Sequence, residues 1–348
     1  MSKAIELNQD NEVLRWHLSY LLSEQDWLSI INLISQSPPL LTAGNEYQYW
    51  LARAYEQTGN DSLAQQLYSQ LAEHRHYYGF LASARLGRAI NLENQPIVVS
   101  ADTIANLLRR PEIMRAYELF QLERYYEARR EWRHLQGKLR ESEQLAMVEL
   151  ATAWGWHDRS IFALSDMGML NDVDKRFPLA YVELLSSEAH KYNVEPEWAL
   201  AIARRESSFM PDAVSPANAR GLMQVLPSTA RYLEKRRMSS RQLLNPKLNA
   251  KLGNKYLRYL LDKLDNNVVL ATASYNAGWR RVKQWVPQSG TVPADIWVET
   301  IPYKETRNYV KAVMAYKQIY QTKLADKSAS SNPSVFAEFS QLQIGEQT

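Results

Sequence analysis

Apolar and aromatic residues recur at helical intervals along most of this 348-residue chain, and this spacing limits the possible folds more than any other feature. Near the start of the chain, Trp16, Tyr20, Trp27 and Ile30 follow one another at helical steps before Pro38 interrupts the pattern. Stretches of the same kind, separated by short breaks, continue to about residue 175. The sequence therefore predicts an all-α chain whose first half consists of successive short helices.

Residues 46–88 contain a recognisable pair of helices. Tyr47, Trp50 and Tyr68 are spaced as in a hairpin of the tetratricopeptide type, with Gly59 at the turn. One such unit is weak evidence for a repeat family. It favours stacked antiparallel helices in which each hairpin buries one face on the next, so we expect an N-terminal superhelical arrangement.

Changes in composition divide the chain into four parts. A connection rich in polar and β-branched residues near 89–110 separates a helical superhelix segment, 1–105, from a helical linker domain, 106–175. A further break precedes a C-terminal helical domain at 176–325. The remaining residues, 326–348, are small and polar, and we expect a mobile tail there.

Composition and charge exclude several classes of protein. A hydrophobic fraction of 45% with 23% charged residues is typical of a soluble globular protein, and a net charge of only +3 argues against nucleic-acid binding. There is no cysteine, no zinc-ligand spacing among the 6 histidines, no acidic calcium loop and no glycine-rich phosphate motif. We therefore expect no metal and no cofactor.

The chain also carries no membrane or export signal in its sequence. No apolar run approaches the length of a membrane span, so we expect no stable membrane insertion. Residues 1–10 lack the apolar core of a secretion signal.

The stretch beginning at Pro196 is the first candidate for chemistry. Proline at a helix start followed by an Ala/Leu/Ile/Arg run favours a helix, on which Trp198, Ile202, Glu206 and Phe209 share one side. A carboxyl held against apolar and aromatic neighbours loses hydration of its charged form, which raises its pKa. Glu206 is therefore a candidate general acid.

An ordinary structural role for Glu206 is the alternative. Most helical glutamates are solvated or paired, and Arg204 and Arg205 are adjacent in sequence. Structural ion pairs perturb carboxyl groups as functional sites do, so this helix alone does not decide between the two.

Three further blocks follow in order. A proline-rich loop leads from Ser215 to Gly221-Leu222-Met223-Gln224, and a polar loop between apolar helices could fold Ser215 and Gln224 back over Glu206. The second block is Tyr275-Asn276-Ala277-Gly278. The third runs from Glu299 through Ile301-Pro302 to Glu305-Thr306-Arg307 and Tyr309-Val310.

Together these blocks resemble the catalytic domain of the soluble lytic transglycosylases. Glu206-Ser207 is similar to the family's E-S, and the later blocks are similar to its S…G-L-M-Q, Y-N-A-G and E-x-I-P…E-T-R-x-Y-V patterns. The resemblance covers about residues 176–325 and extends more loosely over the preceding helices. It implies a lysozyme-like α domain after the superhelical segment, a superhelix shortened at its N-terminus, and a periplasmic location.

The resemblance also implies an activity. These enzymes cleave the β-1,4 bond between N-acetylmuramic acid and N-acetylglucosamine in peptidoglycan, so glycan strands are the expected partner. Glu206 would act first as acid and then as base, which leaves a 1,6-anhydromuramyl end. Tyr275 would orient Glu206, and Ser215, Gly221, Gln224 and Asn276 would form the substrate site.

Several alternatives stay open at this point. Glu299 could contact substrate, or it could pair with an arginine such as Arg307 and anchor the last helix. The chain could also be a hydrolytic muramidase of the same fold, in which water replaces the sugar's C6 hydroxyl. A third possibility is a helical scaffold that binds glycan without catalysis, against which the intact Glu206-Ser207 and Tyr275-Asn276 argue.

Overall fold

The computed structural model describes residues 11–325 and 335–345, and the described residues are predominantly helical. The prediction of an all-α chain is confirmed. In the first half, the helices are α1 (Asn11–Ser23), α2 (Trp27–Gln36), α3 (Pro39–Thr42), α4 (Asn45–Gln57), α5 (Asp61–Ala72), α6 (Tyr77–Arg85), α7 (Ala101–Leu108), α8 (Pro111–Gln121), α9 (Tyr125–Gln136), α10 (Glu141–Ala153), α11 (His157–Asp166) and α12 (Val173–Arg176).

The second half follows the same pattern. Its elements are α13 (Val182–Lys191), α14 (Pro196–Ser207), α15 (Pro227–Glu234), a 3-10 turn (Gln242–Leu244), α16 (Pro246–Lys263), α17 (Val268–Ala277), α18 (Trp279–Lys283), β1 (Thr291–Pro293), α19 (Ala294–Thr300), α20 (Lys304–Leu324), α21 (Val335–Gln341) and β2 (Gln343–Gly345). The two short strands pair antiparallel, with Val292 opposite Ile344.

The helices form two compact units. One is made from both ends of the chain, 1–93 and 259–348, and is called here the discontinuous unit. The other, residues 94–258, is called the continuous unit. Helix α16 belongs to both. The four sequence domains listed from composition remain predictions.

The predicted hairpin at 46–88 is present in the discontinuous unit. Helices α4 and α5 pack antiparallel around a turn at Gly59, whose φ of 78° suits glycine. The aromatic residues of the pattern are buried, and the Tyr49 ring lies 6.0 Å from that of Tyr68 and 5.6 Å from that of Tyr78. The aromatic spacing that predicted the hairpin thus supplies its core.

The end of the chain differs from the mobile tail that the sequence predicted. Helix α21 packs on α6, and Phe336 places its ring 5.5 Å from Tyr77 and 5.7 Å from Phe80. Both Phe336 and Ile344 are fully buried. The segment follows a run of small polar residues, but its own apolar residues are buried. The prediction of a mobile tail is therefore wrong for residues 335–345. Residues 326–334 and 346–348 lie outside the described part.

The continuous unit has its own core. Trp132 and Trp156 are buried with ring centroids 5.1 Å apart, and Phe120 stacks on Trp156 at 4.8 Å. These rings hold helices α8 to α10 together. Helix α14 packs against α13 in the same unit and brings Glu206 with it.

The described residues contain neither a candidate membrane span nor a candidate metal cluster. None of their helices combines the length and the apolar character that a bilayer crossing requires. No group of three or more histidine, aspartate or glutamate side chains among them is arranged to hold a metal ion.

Candidate active site

Helix α14 presents Glu206 at its C-terminal end. Pro196 occupies the first turn, where its missing N–H costs nothing, and Trp198 and Ile202 are fully buried as the helical spacing predicted. The helix ends at Ser207, because Ser208 and Phe209 both adopt left-handed conformations with φ of 52° and 66°. Glu206 is half-buried in the last turn. The chain therefore reverses immediately after the candidate acid.

The neighbouring Arg204 contacts residues at the end of α14 and in the segment before α13. Its guanidinium donates to the Arg176 carbonyl at 2.8 Å and to the Ser208 hydroxyl at 3.1 Å, and it lies over the Phe177 ring. Arg204 is itself buried. These contacts fix the end of α14 to the segment before α13, which gives Glu206 a rigid support.

The loop that follows α14 is fastened to the residue beside Glu206. Ser207 donates its hydroxyl proton to the Leu222 carbonyl at 2.7 Å. Leu222 and Met223 are fully buried. The bond places the Gly221-Leu222-Met223-Gln224 turn against the helix end that carries the acid, as the prediction of a loop folding back requires.

Asn249 on α16 holds the same turn from its other side. Its Oδ1 accepts the Met223 N–H at 2.8 Å, while its Nδ2 donates to the carbonyls of Arg220 at 2.7 Å and Leu243 at 2.8 Å. The side chain is fully buried, so these bonds satisfy backbone groups that would otherwise be lost from water. Sequence reasoning missed Asn249. A polar residue on the apolar face of a predicted helix was the available signal.

Two glycines allow this close packing. Gly221 has a φ of 75°, and a Cβ there would lie 2.6 Å from the Asn249 side chain and 2.6 Å from the Leu243 carbonyl oxygen. At Gly253 a Cβ would lie 2.3 Å from the Met223 sulfur. In this geometry Gly221 acts through its backbone conformation, whereas the sequence prediction placed it in the substrate site.

Gln224 and Asn218 also take left-handed conformations, with φ of 48° and 66°. Asparagine tolerates this conformation better than most residues. The Gln224 amide nitrogen donates to the carbonyls of Gly221 at 3.0 Å and Ala213 at 3.2 Å. Gln224 is half-buried, and those bonds leave its amide oxygen for another donor.

The other end of the loop is a tight turn anchored by an ion pair. The Ser215 hydroxyl accepts the Ala219 N–H at 3.0 Å, so its described contact is a turn-forming one. Asp212 forms a two-point ion pair with Arg129 of α9, one contact of which measures 3.0 Å. Arg129 was not singled out from the sequence. It connects the loop to the helices of the predicted linker domain.

Tyr275 and Asn276 lie in the discontinuous unit, on the last turn of α17, and both are half-buried. Asn276 accepts from the Thr306 hydroxyl at 2.7 Å and donates to Glu305 at 3.2 Å. The Y-N-A-G block is thereby joined to the first turn of α20. Gly278 ends α17 with a φ of 85°.

Glu299 is fully buried in the discontinuous unit, at the end of α19. One carboxylate oxygen accepts from Arg15 and Lys311, each at 2.9 Å, and the other accepts from the Tyr78 hydroxyl at 2.9 Å. Arg15 also donates to the Glu299 carbonyl at 3.0 Å. Arg307, the expected partner, instead donates to the Ile301 carbonyl at 2.7 Å. This geometry favours the anchoring alternative for Glu299 over contact with substrate.

The cations decide the charge of Glu299. Burial alone would raise its pKa, but Lys311 and Arg15 outweigh burial and lower the pKa to about 2. The adjacent Glu46 shows the opposite direction: burial and the Glu299 charge raise its pKa to about 7, although Lys311 and Arg15 oppose them. The cations therefore favour the charged form of Glu299, whereas burial beside that charge favours the protonated form of Glu46.

Asp295 forms a second buried centre one helical turn before Glu299. Its Oδ2 accepts from the Tyr49 hydroxyl at 2.8 Å and from Arg53 at 3.1 Å. Helix α19 therefore fastens the N-terminal helices to the C-terminal part of the same unit through two acids. Nothing in the local sequence reveals these partners, since more than two hundred positions separate them along the chain.

The fold and these sites agree with a defined class of proteins. A model of the transglycosylase SLT domain matches residues 183–298 and includes Glu206. The soluble lytic murein transglycosylase L domain matches residues 106–173, and the soluble lytic transglycosylase helical domain matches residues 300–328.

Individual relatives agree along most of the chain. The soluble lytic murein transglycosylase of Salmonella typhimurium is 32% identical over 332 residues, covering 94% of this chain and 51% of the relative. A structure of an inactive glutamate-to-glutamine mutant of lytic transglycosylase Slt from Pseudomonas aeruginosa superimposes with a TM-score of 0.84 at 36% identity, covering 90% of this chain and 52% of that one. The 70 kDa soluble lytic transglycosylase of Escherichia coli gives a TM-score of 0.87 at 31% identity, with 94% and 53% covered.

The chain belongs to the soluble lytic murein transglycosylase family. It spans about half the length of the curated relatives that it matches. The predicted superhelical and lysozyme-like architecture is confirmed by the structural matches.

Proposed function

We propose that this chain is a lytic transglycosylase that cleaves the β-1,4 bond between N-acetylmuramic acid and N-acetylglucosamine in peptidoglycan. The observation that carries the proposal is the attachment of the Gly221–Gln224 turn to the end of α14 by the Ser207 bond to Leu222. That bond sets a half-buried glutamate beside a loop whose polar groups are held by the backbone. The names of the relatives support the same activity.

Glu206 carries both proton transfers in this mechanism. As an acid it gives its proton to the glycosidic oxygen while the bond from C1 to that oxygen breaks. The resulting carboxylate then removes the proton of the muramic acid C6 hydroxyl, and O6 bonds to C1. The reaction ends with a 1,6-anhydro ring and a regenerated acid, and no water is consumed.

The ion pair of Asp212, the next acidic residue after Glu206, supports a mechanism with a single acid. Glycosidases of the usual kinds need a second free carboxylate as base or nucleophile. Asp212 is engaged by Arg129 in an ion pair, which opposes its use in that role. The C6 hydroxyl of the substrate supplies the nucleophile. It belongs to the same sugar as C1, so no second molecule has to be bound and oriented.

The remaining predicted residues have supporting roles. Gln224 offers its amide oxygen to a sugar N–H or hydroxyl, and Ser215 and Asn276 contact sugar substituents. An orienting role for Tyr275 stays a prediction. Gly221 acts by permitting the turn, and Glu299 acts as a structural anchor. The reaction takes place in the cell wall, hence in the periplasm.

Mass spectrometry of the products tests the proposal. Purified sacculi are incubated with the chain and, in parallel, with Glu206→Gln, which keeps the size of the side chain and removes its acid. The proposal predicts anhydromuropeptides from the unmodified chain and at least a hundredfold less from the variant. Reducing ends in place of anhydro ends would contradict it and establish a hydrolytic muramidase. Binding of sacculi without any product from the unmodified chain would establish a non-catalytic scaffold.

A further inference from the structure

A cavity of about 280 Å³ opens beside the Glu299 cluster, and all its lining residues belong to the discontinuous unit. Its cationic side chains are Arg15, Lys304, Arg307 and Lys311. The last three follow one another along one face of α20. We call this space the basic cavity.

Positive charge predominates in the basic cavity. Two acids line it, Glu12 and Glu46. Glu12 pairs with Lys304 at the exposed rim, at 2.9 Å. Glu46 carries a proton through much of the range below neutrality, because its pKa is raised to about 7 by burial and by Glu299. Glu299 itself lies behind the wall and is occupied by Arg15 and Lys311.

Arg307 is the main indication that the basic cavity binds an anion. It is 7% exposed, and among the described residues it has no ion-pair partner. Its described hydrogen bond goes to the Ile301 carbonyl and uses one of five donors. Burial and then the neighbouring Arg15 charge lower its pKa, while the Glu299 and Glu46 charges act in the opposite direction. An anion in the cavity would add a charge-assisted bond to Arg307.

The ligand's remaining chemistry is indicated by Trp16 and by the start of α20. Trp16 lines the cavity and is 58% exposed, so its flat apolar face is available to the C–H face of a sugar ring. Helix α20 begins at Lys304 with no side-chain cap, so its first N–H groups and positive dipole end also favour an anion. A cation cluster, an aromatic plate and a helix start occur together here.

We propose that the basic cavity is an accessory site that binds the free carboxylate of an amino sugar in the glycan strand, at a sugar whose carboxyl is not joined to a peptide. The proposal rests on the proposed function, because that function identifies the polymer. The carboxylate lies against Arg307 and Lys304, and the sugar ring lies on Trp16. Such a site holds part of the strand away from the reacting bond and takes no part in the chemistry.

Binding of three small probes to the full chain tests the site. N-acetylmuramic acid carries a carboxylate, N-acetylglucosamine has the same ring and acetamido group without it, and D-lactate is the carboxylate arm alone. Calorimetry should show at least tenfold tighter binding of N-acetylmuramic acid than of either other probe. Equal binding of N-acetylmuramic acid and N-acetylglucosamine would overturn the proposal. D-lactate binding as tightly as N-acetylmuramic acid would overturn the assignment to a sugar.

Variants locate the binding. Arg307→Gln should weaken N-acetylmuramic acid about tenfold, and Lys304→Gln, at an exposed position that tolerates change, should weaken it several-fold. Trp16→Ala should weaken N-acetylmuramic acid and leave any lactate binding as it was. Arg88→Gln, which removes an exposed charge of the same unit outside the cavity, is the matched control and should change nothing. Unchanged affinity in Lys304→Gln and in a folded Arg307→Gln would overturn the site.

Glu206→Gln separates this proposal from the proposed function. It should abolish cleavage of sacculi and keep the affinity for N-acetylmuramic acid. Loss of N-acetylmuramic acid binding in Glu206→Gln would place the probe at the catalytic residue and overturn the accessory site. Failure to form anhydro products with probe binding intact would count against the proposed function alone.

Discussion

Glu206 and Glu299 each stand near the end of a helix that has a proline at or just before its start, yet their surroundings differ. Glu206 is half-buried and is followed by a reversal of the chain and a loop pinned by Ser207. Glu299 is fully buried and is held by Arg15, Lys311 and Tyr78. A carboxylate enclosed by cations is fixed as a charge. The proposed mechanism assigns proton transfer to the glutamate at the partly open helix end, so in this proposal the same residue type serves structure in one unit and chemistry in the other.

Removing the enclosed carboxylate should have the largest effect on stability. Glu299→Ala removes the fully buried carboxylate that Arg15 and Lys311 share and leaves half-buried Lys311 without an ion-pair partner among the described residues, so the free energy of unfolding should fall by about 4 kcal/mol. Urea unfolding followed by circular dichroism measures the change. Glu12→Gln removes an exposed ion pair between α1 and α20 and should cost at most about 0.5 kcal/mol. Equal losses in the two variants would contradict the role given to Glu299.

Detaching the Gly221–Gln224 turn from α16 should lower both stability and activity. Asn249→Ala leaves the Met223 N–H and two carbonyls without their buried partner, and the free energy of unfolding should fall by about 3 kcal/mol. Release of anhydromuropeptides should also fall, at a temperature where the variant is folded. Asn245→Ala on the same helix removes only an exposed cap, costing about 1 kcal/mol. Its activity should be unchanged, and a matching loss there would contradict the special role of Asn249.

The smallest expected effect on stability concerns the protonation of Glu46. The pKa of Glu46 is raised in the folded chain from 4.5 to about 7, so the folded state holds that proton more tightly than the unfolded state. Stability contributed by Glu46 is therefore present below about pH 4.5 and declines as the pH rises toward 7. Glu46→Gln imitates the protonated form permanently. Its unfolding free energy should match that of the unmodified chain near pH 5 and exceed it by on the order of 2 kcal/mol at pH 8.

Urea midpoints of the unmodified chain and Glu46→Gln at pH 5 and pH 8 measure this difference. Arg15, Lys311, Tyr47 and Glu299 face Glu46 from α1, α20, α4 and α19, and all four are left unchanged by the substitution. A variant less stable than the unmodified chain at pH 8 would show that Glu46 is needed as a charge.

Local sequence patterns predict the helices but not the long-range contacts that join them. Pro196 and the apolar spacing placed α14 correctly, because these signals act within a few residues.

The joining contacts depend on residues far apart in the chain. The bond from Arg15 to Glu299 spans 284 positions, and the bond from Asn249 to Met223 spans 26. No periodicity records such pairs. The ordered motifs predict a role for Glu206 and do not reveal Asn249 or Arg129, which hold the loop that follows it. For the same reason the buried helix α21 was mistaken for a mobile tail.

The central claim is that Glu206 performs chemistry while contributing little to stability, and one paired measurement on Glu206→Gln tests it. Rates of anhydromuropeptide release and urea unfolding curves are recorded on the same preparation. The account predicts a loss of activity of at least a hundredfold with a change in unfolding free energy below about 1 kcal/mol. Retained activity, or a loss of activity that a comparable loss of stability explains, would contradict it.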